Sequence, residues 1–226
     1  MNKRQVFRNR RNQPAPMPEK PKAIRFRIKL CDFKHEVWRV LDVPADMRLS
    51  HFHVALQITM GWQNVHCHEF KTERACYLNP REMDGQEGDA LDERHITLAQ
   101  FLQDPLNHKF VYRYDFGDCW DHAIELETIR DFDGPTSTPR CIAGAGACPP
   151  EDCGGSPGYE RCRAAFELRG QLWTDNVTGT RLNQETVDLL RWMGNWDPLR
   201  FDLPAVNRKL KARFGRNRAS RAPLMH

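Results

Sequence analysis

The sequence predicts an α+β fold in a single domain, namely a mainly antiparallel sheet with helices packed on it. Several segments alternate apolar and polar side chains, as half-buried strands do, while others have apolar residues at helical spacing. Strands, a helix, further strands and then helices follow in order, without the strand–helix alternation of a parallel sheet. The 226 residues are 40% hydrophobic and include six Trp and twelve Phe, which is enough for one core.

Five segments show the strand alternation: residues 24–30, 37–43, 66–70, 110–116 and 120–129. The first two are expected to form a hairpin with its turn at residues 32–36. Gly117-Asp118 suits a tight turn between the last two. On the second strand, Arg39 falls on the same side as Val37.

Five further segments have helical spacing: residues 48–61, 98–102, 159–169, 184–193 and 203–214. Gly61 and Gly215 end the first and the last helix, and Thr97 caps the second. Residues 80–94 and 131–158 are predicted loops. The second loop is rich in Gly, Pro and Cys, and loops of this length are usually functional or stapled.

The net charge of +4 is unevenly distributed. Residues 1–29 carry ten basic side chains and one acidic one, and residues 205–226 carry seven basic side chains and no acid, so the body between them carries −12. We therefore expect a disordered basic arm (1–22), an α+β domain (23–214) and a basic flexible tail (215–226).

An acidic body argues against recognition of nucleic acid through the sheet, whereas basic ends can neutralise phosphates. DNA or RNA binding is therefore expected only through the ends, and a solubilising role explains them equally well. The side chains concerned are Arg8, Arg10, Arg11, Lys209, Lys211 and Arg213.

No segment approaches the roughly 18 apolar residues of a membrane-spanning helix. The basic N-terminus also lacks the apolar stretch of a secretory signal. We therefore expect a cytoplasmic protein without a membrane partner. In that compartment the eight cysteines are expected to be free thiols or metal ligands rather than disulfides.

Zinc is the cofactor that the cysteines suggest. Cys141, Cys148 and Cys153 lie within thirteen residues, separated by Gly and Pro, and such thiolates can converge on one ion. His122 or Cys119 would supply the fourth ligand. The spacing is not that of a zinc finger, and ordinary thiols in a tight loop are an equally good interpretation.

A candidate polar site is predicted where this loop meets the strands. Residues 114–122 (YDFGDCWDH) place carboxylates and a histidine around a glycine turn, and two histidines of the strand at 66–70 would share a face. The candidate residues are His66, His68, Asp115, Asp118, His122, Glu151 and Asp152.

The geometry of these carboxylates distinguishes two interpretations. If the carboxylates of Asp115 and Asp118 point into one pocket with His68 or His122, they would favour a metal-dependent hydrolase. Carboxylates that cap turns, as Asp beside Gly often does, would argue against an enzyme. The common nucleotide-binding and hydrolase motifs GxGxxG, GxxxxGK[ST], GxSxG and HExxH are absent from the sequence.

Several segments together carry a family resemblance. They are QITMGW (57–62), HCHEF (66–70), YDFGDCWDH (114–122), CPPEDCGG (148–155) with GY (158–159), WDP (196–198), FDL (201–203) and VN (206–207). In combination they resemble the plasmid pRiA4b ORF-3-like family over residues 24–210. The resemblance implies an α+β domain and brings no established activity, and residues 172–190 depart from the family's commoner form.

Members of this family are also labelled insertion-element passenger proteins and putative TnpR, which implies association with mobile DNA. Ser50 is the first serine and is not in the arginine-rich setting of a resolvase nucleophile, and the Arg/His/Tyr set of a tyrosine recombinase is not recognisable. We therefore expect an accessory or binding domain of a mobile element, not a recombinase. A metal-dependent hydrolase and a non-specific nucleic-acid binder are the alternatives.

Overall fold

A computed structural model describes residues 22–33, 35–80, 90–131, 138–174 and 182–215. The strands are β1 (Lys22–Leu30), β2 (Trp38–Pro44), β3 (His68–Lys71), β4 (Cys76–Leu78), β5 (Leu91–Asp92), β6 (Lys109–Tyr114), β7 (Trp120–Asp131) and β8 (Arg140–Ala145). The helices are α1 (Leu49–Met60), α2 (Leu98–Phe101), α3 (Gly155–Thr174), α4 (Gln184–Met193) and α5 (Leu203–Phe214), with a 3₁₀ turn at Pro105–His108. The predicted arm and tail lie outside the described residues, apart from Lys22 and Gly215.

All eight strands belong to one sheet with the order β5-β4-β3-β6-β7-β1-β2-β8. Every neighbouring pair is antiparallel except β4 and β5, which are parallel. Helix α1 packs near β2, α5 packs on α1 and β8, and α3 packs on α4. The predicted single-domain α+β fold with a mainly antiparallel sheet is therefore confirmed.

The two faces of β1 show how the sequence alternation builds this sheet. Ile24, Phe26, Ile28 and Leu30 are fully buried on one face, where the ring of Phe26 lies 5.1 Å from that of Phe52 on α1. The other face carries basic residues that pair with acids of neighbouring segments. These pairs are Arg25 with Asp42, Arg27 with Glu127 and Lys29 with Glu36. Antiparallel sheets commonly have one face packed on the core and one face exposed to solvent.

The predicted loop at 131–158 is partly wrong, because it contains β8 and the start of α3. Strand β8 is rich in Ala and Gly, which have little strand propensity, so its sequence gave no strand signal. Its glycine is required by packing: a Cβ on Gly144 would lie 2.7 Å from the ring of Phe201 and 2.8 Å from Cδ of Arg39. Asn207 of α5 then hydrogen-bonds both the N–H and the C=O of Cys141, at 2.9 Å each, along the open edge of β8.

Short strands β4 and β5 were also not predicted, since two or three residues show no measurable alternation. Strand β3 begins at His68 and not at His66, which changes the interpretation of both histidines below. In the described ranges, no helix combines the length and apolar character needed to cross a bilayer.

Candidate functional site

Three of the segments singled out in the sequence meet at one end of the sheet. The segment that precedes β3 contributes His66, the turn between β6 and β7 contributes Asp115, and the segment that leads into α3 contributes Glu151 and Asp152. We call these four side chains the polar cluster. They come from parts of the chain up to 86 residues apart, so only the fold brings them together.

His66 lies at the centre of the polar cluster. Its Nε2 is 2.8 Å from Oδ1 of Asp152, 3.5 Å from Oδ2 of Asp115 and 3.9 Å from Oε1 of Glu151. Across the part of the chain that the structure describes, one group of three or more His, Cys, Asp or Glu side chains has its ligand atoms within 4.8 Å of one another. That group is His66, Asp115 and Asp152.

Left-handed backbone conformations orient the two aspartates. Asp115 has φ 59° and Asp152 has φ 57°, a region that Asp tolerates better than most residues. Oδ1 of Asp115 accepts hydrogen bonds from the N–H groups of Gly117 (2.9 Å) and Asp118 (3.2 Å). The turn therefore fixes Oδ1 and leaves Oδ2 facing His66.

Glu151 is held by two donors from other elements. The hydroxyl of Tyr114 donates to its Oε1 at 2.5 Å, and the backbone N–H of Gln63 donates to its Oε2 at 2.9 Å. Burial and the hydrogen bond to Glu151 raise the pKa of Tyr114 above its ordinary value. The carboxylate of Glu151 is only 7% exposed and is therefore in a fixed position beside His66.

Asp118 and His122 do not join the polar cluster. Oδ2 of Asp118 accepts a hydrogen bond from Gly154 N–H at 3.1 Å, so this carboxylate supports the entry into α3. His122 is completely buried, with Nδ1 3.1 Å from the carbonyl oxygen of Tyr112, and burial lowers its pKa to about 4.

His68 belongs to a separate buried network. Its Nε2 is 2.9 Å from Oε2 of Glu93, and its ring stacks on that of His53 with centroids 3.5 Å apart. His53 also bonds the hydroxyl of Tyr112 (2.8 Å) and Oδ1 of Asn64 (2.6 Å). Burial and the neighbouring His68 lower the pKa of His53 to about 3.

The predicted pairing of His66 with His68 on one strand face is therefore wrong. The strand begins only at His68, so the two-residue alternation does not extend to His66, and their Nε2 atoms contact different carboxylates. His53 and Glu93 were missed by sequence reasoning. Neither carried a usable signal, since one lies on a helix face and the other in a charged segment predicted as loop.

The structure does not gather the predicted zinc set of Cys141, Cys148, Cys153 and His122. No three of these four described residues place ligand atoms within 4.8 Å of one another. None of the eight cysteines, which all lie in the described ranges, forms a disulfide, and Cys153 is hydrogen-bonded to Cys162. Burial raises the pKa of Cys141 to about 11 and of Cys148 to about 12, so both behave as small buried thiols.

The residues proposed to contact nucleic acid are only partly described. Arg8, Arg10 and Arg11 lie outside the described residues. Lys209, Lys211 and Arg213 lie on α5 and are exposed. Helix α5 therefore presents basic side chains to solvent, although its N-terminal half packs on β8 through Asn207.

Comparison with known proteins places these features in a family. A family model described as plasmid pRiA4b ORF-3-like protein matches residues 22–205. The chain belongs to this family. The residues that form the polar cluster all fall inside the matched range, and the resemblance seen in the sequence is confirmed.

Two relatives show how far the pRiA4b ORF-3-like likeness extends. The uncharacterized protein y4hQ of Sinorhizobium fredii is 38% identical over 186 residues, covering 81% of this chain and 86% of the relative. The crystal structure of the protein of unknown function MM3350 from Methanosarcina mazei Go1 matches with a TM-score of 0.66 at 27% identity. This match covers 82% of the present chain and 97% of that one. Neither relative has an activity in its name, and none of these matches supports the TnpR label.

Proposed function

We propose that this pRiA4b ORF-3-like protein is a binding domain whose polar cluster takes a divalent cation on His66, Asp115 and Asp152. The observation that carries the proposal is the approach of one histidine nitrogen and two carboxylate oxygens to within 4.8 Å of one another, from three separate segments. Like charges at that distance repel, and a bound cation would offset that repulsion.

The ligand atoms of His66, Asp115 and Asp152 are better placed to bind zinc than those of the cysteines. One imidazole nitrogen and two carboxylate oxygens are common zinc ligands, and three protein ligands leave a fourth position open. Metal–ligand bonds of about 2.0–2.2 Å in a tetrahedron separate ligand atoms by about 3.3–3.6 Å. Nε2 of His66 is 3.5 Å from Asp115 and 2.8 Å from Asp152, so the second contact must open slightly to admit the ion.

The hydrogen bonds of Asp115 and Asp118 favour a binding domain over an enzyme. Asp118 and one oxygen of Asp115 bind backbone amides, which is a structural task. An accessory role in a mobile element is part of the same proposal and rests on the family resemblance alone.

A metal-dependent hydrolase is the second candidate, and one observation favours it. Oε1 of Glu151 lies 3.9 Å from Nε2 of His66, so the fixed carboxylate would neighbour a water on the cation and act on it as a general base.

The proposal is tested by calorimetric titration of the full chain with zinc chloride. We expect one equivalent to bind, and His66→Ala and Asp152→Asn to weaken binding at least about tenfold, because each removes one of three ligands. Cys148→Ser is the matched control and should bind as the wild type does. Loss of zinc in Cys148→Ser with retention in His66→Ala, or less than about half an equivalent in the wild type, would overturn the proposal.

The same samples separate the two candidates. The zinc-loaded wild type and Glu151→Gln are assayed with chromogenic phosphate and carboxylate esters. The protein is a hydrolase and not only a binding domain if the wild type turns over an ester and Glu151→Gln, with zinc still bound, does so about 100-fold more slowly. Absence of turnover above the metal-free protein agrees with a binding role.

A further inference from the structure

A cavity of about 620 Å³ lies between the C-terminal end of α1, the segment of residues 147–152 and the connection from α4 to α5. This volume is typical of a small-molecule site. The residues that characterise the cavity are three cations, Arg39, Arg200 and Lys209, and three aromatic side chains, Trp192, Trp196 and Phe201. The cation site proposed above does not use any of these six.

Arg39 is a buried cation that has no acidic partner among the described residues. It is only 1% exposed, and its N–H groups donate to the carbonyl oxygens of Thr59 (2.9 Å), Trp38 (2.8 Å), Ala145 (2.7 Å) and Gly146 (2.8 Å). Its guanidinium also lies 3.9 Å from the ring of Phe201. A buried charge normally has a counter-charge, because its desolvation is costly.

Arg200 and Lys209 add two exposed cations to the same cavity. Within the described ranges, no carboxylate oxygen lies within 4.0 Å of the charged nitrogens of Arg39, Arg200 or Lys209. The cavity therefore has three basic groups that are not neutralised by direct pairing.

The acids that line the cavity already accept hydrogen bonds from the protein. Glu151 accepts from the hydroxyl of Tyr114 and the N–H of Gln63, and Asp152 is bonded to His66. Oδ1 of Asp202 accepts from the N–H of Ala205 at 2.8 Å, as the cap of α5. These three acids are therefore held by groups other than Arg39, Arg200 and Lys209, and the two exposed cations, Arg200 and Lys209, remain available to an anionic ligand.

The aromatic side chains give the cavity a flat apolar wall. Trp192 is 51% exposed although it is one of the largest apolar side chains, and it lies on α4 where it lines the cavity. Trp196 is half-buried and is fixed by the hydrogen bond from its Nε1 to the carbonyl oxygen of Cys148 at 2.8 Å. Exposed and fixed indole rings beside cations are suited to a ligand that combines a planar ring with negative charge.

We propose that this cavity binds a nucleotide, with the base against Trp192 and the phosphate on Arg200 and Lys209. Arg39 contributes a positive charge from within the wall, where no carboxylate oxygen of the described residues lies within 4.0 Å of its charged nitrogens. The ligand is a free nucleoside monophosphate or the terminal nucleotide of a single strand, which share this chemistry. The proposal does not depend on the cation site.

Calorimetric titration of the full chain with adenosine 5′-monophosphate, in the presence of a chelator, tests the proposal. We expect saturable binding of one equivalent. Adenosine and inorganic phosphate, each used separately, should bind at least about tenfold more weakly because each makes only half of the contacts. A four-nucleotide single strand that binds more tightly than the monophosphate assigns the cavity to a strand end, and the reverse order assigns it to a free nucleotide.

Variants at exposed positions keep the fold and isolate the cavity. Trp192→Ala and Arg200→Gln should each weaken binding by the monophosphate about tenfold, while Trp192→Tyr should retain most of it because the ring remains. Leu199→Ala, 75% exposed and outside the lining, and Lys211→Gln on α5 are the controls. Absence of saturable binding by the wild type, or equal binding by all variants, would overturn the proposal.

Discussion

Two histidines of the central sheet region, His53 and His122, are kept neutral by their surroundings. Burial lowers the pKa of His53 to about 3 and of His122 to about 4, because a charged imidazole loses its hydration there. The surroundings of His66 are different, since its side chain is 30% exposed and faces carboxylates. The two buried rings therefore stabilise the fold, whereas His66 is available to a ligand.

The depressed pKa of His122 predicts acid sensitivity. Its folded-state pKa lies below the ordinary value of 6.5, so its contribution to stability is present above pH 6.5 and is lost as the pH falls towards 4. We expect the free energy of unfolding to fall by about 2 kcal/mol more in the wild type than in His122→Gln between pH 7.5 and pH 5. Urea unfolding at both pH values measures this difference.

The control for this prediction is His95→Gln, since the side chain of His95 is 75% exposed. It should show the pH dependence of the wild type. Equal pH dependence in the wild type and His122→Gln would contradict a neutral buried His122.

At the scale of elements, the first turn of helix α3 packs closely on the backbone of the segment that leads into it. Its first turn passes so near to Cys153 that a Cβ on Gly158 would lie 1.6 Å from the carbonyl oxygen of Cys153. Asp118 supports the same junction through the N–H of Gly154. The start of α3 thus positions Glu151 and Asp152, which directly precede it.

Gly158→Ala should therefore destabilise the protein strongly. The added methyl group cannot fit without moving backbone, and we expect a loss of more than about 3 kcal/mol in the free energy of unfolding, measured with urea. Ser156→Ala, an exposed position in the same first turn, should change it by less than about 0.5 kcal/mol. Similar stability of the two variants would show that the junction adapts easily.

At the scale of the whole molecule, charge and chemistry are segregated along the chain. All of the family motifs except VN (206–207) fall in the acidic body, and the polar cluster formed from them lies at one end of the sheet. The basic residues concentrate at the two ends of the chain and on the exposed side of α5. Contact with polynucleotide phosphates is therefore expected at the ends, separately from the sheet.

Removal of residues 1–21 and 216–226 should abolish salt-sensitive retention on a DNA or RNA column. These segments carry nine basic side chains and one acid, and affinity through phosphates falls steeply with salt because counterions are released. Elution positions at increasing salt concentration measure the effect. A full-length variant with Arg8, Arg10 and Arg11 replaced by Gln shows whether the charge of the arm or its length causes the retention. Unchanged retention of the truncated chain would rule out binding by the ends.

The local sequence was sufficient to predict those features of the fold that depend on the periodicity of apolar residues and on turn residues. The alternation in β1 defined its buried face, the spacing and Gly61 defined α1, and the turn residues defined the connection between β6 and β7. The motifs were also sufficient for family membership, because they are strings of residues. Four residues of the candidate site, His66, Asp115, Glu151 and Asp152, were among those selected from sequence.

Only the tertiary structure decided which of the selected residues meet. It placed His66 with Asp152, sent His68 to Glu93, buried His122 and dispersed the cysteines. It also formed β8 from a segment of small residues, because Asn207 and Phe201 of the distant C-terminal region complete and cover that strand. The physical reason is the same in each case: periodicity encodes which face of an element is buried, whereas contacts between segments far apart in sequence depend on how the elements pack.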